Sequence, residues 1–214
     1  MRQRLYAFFL LLFPIGVWAS PTLSVDDAEI TEAHNCQLEA WTEYGRGRNI
    51  HWAMPTCNPT GSFELAVAAG YEAYKDAHDT KALAFETKTM LAEDLGDYVN
   101  VAISAGVENY RTAGEDEQSW YLNLPVTTFF TDKFAWYKEV GTAYDNEEKH
   151  SSFSWGTGFE YVLTDVMSLY GEVHGDSTER PYYQVAAAFW LKPDQIQVGL
   201  GFGDKLESDK HARL

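Results

Sequence analysis

The sequence predicts an all-β protein, an antiparallel up-and-down transmembrane β-barrel of about 10–12 strands, and three observations carry that expectation. Apolar and polar residues alternate one by one through ten or eleven stretches, with aromatics concentrated in the apolar phase. A strand with one apolar and one polar face suits a barrel wall between lipid and water. After residue 19 no stretch approaches the ~20 apolar residues that a membrane helix needs, so any crossing must be made by strands. The connections also alternate between short and long, as on the two rims of a bacterial outer-membrane barrel.

The N-terminus reads as an export signal. Arg2 and Arg4 precede an apolar run from Leu5 to Val17, and Val17-Trp18-Ala19 places small residues where a signal peptidase cuts. Cleavage after Ala19 would leave 195 of the 214 residues and shift the formal charge from −16 to −18. So acidic a surface, with no basic stripe, excludes nucleic acid as a partner. Residues 20–35 are acidic and aperiodic and read as an N-terminal periplasmic arm, with the barrel at 36–203.

The first strand is Gln37–Tyr44, turning at Gly45-Arg46-Gly47-Arg48 into Asn49–Met54; Pro55 to Gly61, with two prolines, reads as a break. Phe63, Leu65, Val67, Ala69 and Tyr71 then form one phase, and Leu83, Phe85, Thr87, Thr89 and Leu91 the next. Val99, Val101, Ile103, Ala105 and Val107 hold period two for about nine residues, near the length of a tilted membrane strand. Trp120 to Phe130 follows, then Phe134 to Val140, where Lys138 interrupts the apolar phase. Phe153 to Leu163, Met167 to Val173, Tyr183 to Leu191 and Ile196 to Phe202 complete the series. Short links are expected near Glu93–Gly96, Thr131–Lys133, Thr164–Asp165 and Lys192–Asp194. Longer, charged links are expected near Lys75–Thr80, Thr112–Glu117, Asp145–His150 and Gly175–Arg180.

Alternation alone also fits a soluble sheet, so a secreted or periplasmic lipocalin-like ligand-binding protein stands as the alternative. Cys36 and Cys57 are the two cysteines of the chain. In an oxidising compartment such a pair is expected to form one disulfide, here at the base of the first hairpin.

The N-terminal run Asp26-Asp27-Ala28, Cys36-Gln37-Leu38-Glu39 and Pro55-Thr56-Cys57-Asn58-Pro59-Thr60-Gly61 resembles a proteobacterial outer-membrane family. So do Tyr170-Gly171-Glu172, Arg180-Pro181, Tyr183-Gln184-Val185 and Trp190-Leu191-Lys192-Pro193-Asp194 near the C-terminus. That family is known as the meta-pathway of phenol degradation, transporter-like group. The resemblance implies a monomeric barrel of about twelve strands in the outer membrane of a Gram-negative bacterium, passing small solutes. One departure concerns closure. The count reaches eleven strands, or ten if Asn49–Met54 is not one, and the 204–214 tail is charged where a terminal apolar-aromatic strand is expected. The tail therefore reads as a charged end or as a final strand cut short.

No HExxH, GxSxG, P-loop or GxGxxG motif stands in a fitting context, and the six histidines are scattered. His150-Ser151-Ser152 falls in a loop without a partner acid. The expectation is a non-enzyme with no cofactor and no metal, whose partners are outer-membrane lipid and small solutes. The polar phase carries the candidate lumen residues Glu64, Glu72, Glu86, Lys88, Glu108, Tyr121, Tyr137, Glu139, Glu160 and Glu172. Two readings of them stay open. Carboxylates crowded in a narrow lumen make an acidic, cation-preferring passage. Alternatively, Glu side chains pair with Lys88, Tyr121 and Tyr137 and fill the interior, as side chains do in small barrels.

Overall fold

The computed structural model describes residues 23–45, 47–193 and 195–206, with the backbone of Ile15–Gly16. Most of the expected signal peptide, and the tail from 207 onward, lie outside the described residues. Ile15–Gly16 (β1) runs parallel to the start of the next strand. Eleven antiparallel strands then follow in sequence order, each paired with its neighbours in the chain. They are β2 (Cys36–Gly45), β3 (Arg48–Cys57), β4 (Phe63–Tyr74), β5 (Thr80–Leu95), β6 (Val99–Thr112) and β7 (Glu115–Thr131), then β8 (Phe134–Asp145), β9 (His150–Thr164), β10 (Met167–Asp176), β11 (Tyr182–Lys192) and β12 (Ile196–Lys205). Among the described residues no helix is long and apolar enough to cross a membrane.

The sheet curls into a half-barrel, and among the described residues no ladder joins β2 to β12. With eleven up-and-down strands, β2 and β12 point the same way, so any ladder across the seam would have to be a parallel one.

Two sequence expectations change. Pro55 does not end the second strand; β3 runs through it to Cys57, which settles the count at eleven rather than ten. The β3–β4 ladder skips from Ala53↔Ala69 to Thr56↔Ala66, so Pro55 sits where no N–H is required of it. Pro125 is accommodated likewise, between Val101↔Val126 and Ser104↔Asn123 in the β6–β7 ladder. The Thr112–Glu117 link is not a long loop. Thr112 pairs with Glu115, and the chain reverses on Ala113 and Gly114, both at positive φ (55° and 95°). Two consecutive left-handed residues form the turn whose twist matches a hairpin. On the opposite rim β3 and β4 are joined by five residues, 58–62, so loop length alternates less regularly than the sequence implied.

Cys36 and Cys57 face each other in the β2–β3 register and form the expected disulfide. The bridge spans a sequence separation of 21. On the chain-entropy account this removes roughly 3 kcal/mol of freedom from the unfolded state. Replacing both cysteines by serine is expected to lower stability by about that amount, read from the urea midpoint in detergent micelles. A shift within error of zero would mean the hairpin base is held by other contacts.

The two faces of the sheet are chemically reversed relative to a soluble domain. The outward phase carries the large apolar side chains, and many are exposed: Leu83 (59 %), Leu200 (76 %), Phe85, Val107, Leu122 and Phe189 among them. The inward phase is built of small and polar residues, with Ala66, Ala68, Ala102, Ala188, Ser104 and Thr127 all buried. Lys138 interrupts the outward phase as the sequence indicated. Its ammonium lies 3.9 Å over the Trp136 ring and donates to Thr128 Oγ1, which accounts for a charge on that face.

Candidate functional site

The interior is occupied by the chain's own N-terminal arm. Residues 23–35, expected as an aperiodic arm, run along the inner face of the sheet. Their backbone donors, lacking a strand partner, must be satisfied elsewhere. Wall side chains supply the acceptors. Ser24 and Val25 donate their N–H groups to the two oxygens of Glu172, at 3.0 and 2.9 Å. Ala28 N–H donates to Thr127 Oγ1 at 2.9 Å. Thr31 donates both its N–H and its hydroxyl to Glu64 Oε2, at 2.7 and 2.8 Å.

Lys88 on β5 is the ionic anchor. Its ammonium lies 3.0 Å from Asp26 Oδ1, 3.7 Å from Asp27 Oδ1 and 3.6 Å from Glu64 Oε1, and its side chain is nearly closed to solvent. Apolar packing adds to these bonds. Val25 joins Ala135 and Tyr137, with Leu23 and Phe129 against them, and Leu23 also reaches Tyr170, Ala186 and Ala188. A Cβ on Gly156 would come within 2.5 Å of Val25 Cγ2, so a bare glycine is what lets the arm lie this close. The arm leaves at the disulfide end. Asn58, 1 % exposed, donates to the Thr31 carbonyl at 2.6 Å, while its own carbonyl accepts from His34 N–H at 2.7 Å.

All ten sequence-nominated lumen residues fall on the inward phase. Glu64, Glu72, Lys88, Tyr137, Glu139 and Glu172 are buried; Glu86, Glu108, Tyr121 and Glu160 are half-buried. Several of the carboxylates are held by tyrosine hydroxyls. Tyr121 donates to Glu86, Tyr137 and Tyr170 each donate to Glu160 at 2.7 Å, and Tyr74 donates to Glu72 at 2.5 Å. Arg48 adds an ion pair to Glu72 at 3.5 Å. Glu108 accepts from Tyr110 and Ser119. The pairing of Glu with Lys88, Tyr121 and Tyr137 is therefore present, yet the interior is not full. A cavity of about 1530 Å³ remains between arm and wall, lined by Glu86, Glu108, Glu139 and Glu160 together with arm carboxylates. Sequence reasoning missed the arm's partners Asp26, Thr31, Asn58 and Thr127. The one sequence pointer to this contact was Lys88 itself, a cation in a mostly acidic inward phase.

Among the described residues no three Asp, Glu, His or Cys side chains converge on a point where a metal ion could sit. Glu29 of the arm faces the lumen. Desolvation, then Asp27 and Glu160, push it up to about 7 against the pull of Lys88. The docked arm thus holds this proton more tightly than a free arm, whose glutamate titrates near 4.5. Through Glu29, docking is expected to be weaker above pH 7 and to strengthen as pH falls towards about 4.5. Glu29→Gln is expected to flatten that dependence, checked by the protease resistance of the arm across the same interval. An unchanged pH profile in the variant would assign the effect elsewhere.

A comparison with curated proteins found no match. A family match covers residues 7–202, which takes in the arm and all eleven strands up to the middle of β12. The chain, with its inward arm, acidic interior and outward apolar face, belongs to the family described as uncharacterised conserved protein UCP029691.

Proposed function

We propose that the chain is an outer-membrane β-barrel protein, porin-like or transporter-like, which binds or passes small solutes and has no enzymatic chemistry. The observation that carries this reading is the reversed distribution of side chains. Leucine, valine and phenylalanine stand outward and exposed, while alanine, serine and charged groups face in. A contiguous apolar surface of this extent is a liability in water and an asset in hydrocarbon. Its height also fits. From Trp120 to Phe130 the outward phase of β7 covers ten residue steps, and ~3.3 Å each at a tilt of ~40° gives about 25 Å, the apolar band of such barrels. Aromatic groups mark both ends, with Trp120 stacked on Tyr144 at 5.7 Å and Phe130 against Phe134 at 5.7 Å and Trp136 at 6.1 Å. Such rings suit membrane interfaces. The resemblance to outer-membrane transporters of the phenol-degradation group points the same way.

Membrane fractionation tests the reading. The protein is expected to resist alkaline and urea washes and to need detergent for extraction. Recovery in the periplasmic wash would favour the secreted lipocalin-like carrier instead. In planar bilayers the arm should keep conductance small. Gly156→Val, which drives a side chain into Val25, should raise it. Equal conductance would show that the arm does not obstruct the path.

A further inference from the structure

We propose that the outward face of the β7–β8 hairpin binds the phosphate of a glycerophospholipid, centred on Lys138; this names a partner for the barrel surface and rests on the membrane reading above. The first observation is where Lys138 stands. Apart from buried Lys88, every other lysine or arginine of the strands is a terminal or next-to-terminal residue of its strand. Lys138 is instead the fifth residue of β8. Its ammonium does not stay level with its own backbone. Lys138 pairs with Val126 and Trp136 pairs with Thr128, yet the ammonium lies 3.9 Å over the Trp136 ring and 3.2 Å from Thr128 Oγ1. The side chain therefore leans one residue pair towards the short-turn rim. Two residue steps of ~3.3 Å at a tilt of ~40° put that level about 5 Å inside Phe134. There a lysine on a lipid face reaches for the headgroup layer.

The second observation is what this ammonium lacks. Neither the ring nor the hydroxyl carries a formal charge, and among the described residues no carboxylate forms an ion pair with Lys138. Its neighbour Glu139 is on the inward phase and buried. Thr128 accepts from the ammonium, and its own proton has no acceptor among the described residues. A cation and a hydroxyl donor side by side at the edge of hydrocarbon suit an anionic oxygen.

The surroundings then select the source of that oxygen. Leu124 and Val140, paired on the deeper side of Lys138, are exposed and offer an apolar track to an acyl chain. On the other side, past Phe130 and Phe134, a cleft of about 420 Å³ has Asp97, Asp132 and Lys133 in its lining. It presents both signs of charge, as a zwitterionic headgroup does. Apolar track, cation and mixed-charge cleft follow the order of tail, phosphate and headgroup in a phospholipid. A free phosphate would match the middle of that series alone.

Native mass spectrometry of the full-length protein, delipidated in detergent and titrated with dioleoylphosphatidylethanolamine, tests the proposal. Saturable binding of one lipid is expected, with dioleoylglycerol, which lacks the phosphate, about tenfold weaker and glycerol 3-phosphate silent. Lys138→Met should weaken phosphatidylethanolamine binding by about tenfold, and Lys138→Arg should restore most of it. Lys192→Met removes an exposed cation at the same rim and should leave the affinity unchanged. Equal binding of dioleoylglycerol, glycerol 3-phosphate binding as tight as the lipid's, unchanged affinity in Lys138→Met, or an equal loss in Lys192→Met would overturn the proposal. The comparison of probes on the unmodified chain decides the matter even if a variant fails to fold. A protein that needs detergent for extraction yet shows no preference for the phosphate defeats this proposal alone. Recovery in the periplasmic wash defeats the membrane reading on which it rests.

Discussion

Leu124→Arg combined with Leu200→Arg is expected to abolish insertion into lipid vesicles. Both positions belong to the outward phase, at the middle of β7 and near the middle of β12. An arginine on the lipid face at mid-depth of a barrel costs about 2–4 kcal/mol. The two sites lie on strands far apart in the sheet order, so their costs should add to about 4–8 kcal/mol. That is comparable with the whole stability of a typical domain. Glu117→Arg, at the end of β7 beyond the apolar run, places the same side chain outside the band and should insert normally. Folding into vesicles can be followed by the gel-mobility difference between folded and heat-denatured protein. If the double variant inserts as well as the control, hydrocarbon is not what these side chains touch, and the outer-membrane reading falls with them.

The wall was legible because its physics is local. Period two places every second residue on one face, so Leu122, Leu124 and Val126 could be set outward and Tyr121 inward without knowledge of any partner strand. Turn chemistry was less readable. Thr112–Glu117 is charged and looks like a loop, but Ala113-Gly114 needs only two residues to reverse the chain, and the charges at Glu115, Asp116 and Glu117 lie along the first residues of β7. Pro55 misled for a related reason: a proline ends a strand only where its missing N–H is wanted, and the β3–β4 ladder happens to skip that position. The arm was illegible in a deeper sense. Its bonds join residues as far apart as Ser24 and Glu172, and nothing periodic in 23–35 signals which way it runs. An inward phase rich in carboxylates gave no sign that a further acidic segment would come to Lys88, as Asp26 and Asp27 do.

That dependence makes Lys88→Met the most informative single change to the interior. Lys88 is 6 % exposed and holds Asp26, Asp27 and Glu64 at 3.0, 3.7 and 3.6 Å. Methionine preserves most of the side chain's volume but withdraws the charge, leaving two arm carboxylates facing a third on the wall. Breaking a buried pair by removing one partner costs about 3–5 kcal/mol. The arm, however, has an escape that a core residue lacks. By leaving the lumen it returns Asp26 and Asp27 to water, so the loss cannot exceed the free energy of docking. The expected result is therefore release of the arm with the strands intact: rapid proteolysis within 23–35, higher conductance, and an unchanged strand signal by circular dichroism. Asp26→Asn in the Lys88→Met background should restore part of the protection, because it removes one of the repelling charges. Acidification below about pH 4, where ordinary carboxylates protonate, should restore it as well. An arm that stays protected in Lys88→Met at neutral pH would mean that Glu172, Thr127 and the Val25 contacts hold it without the ion pair.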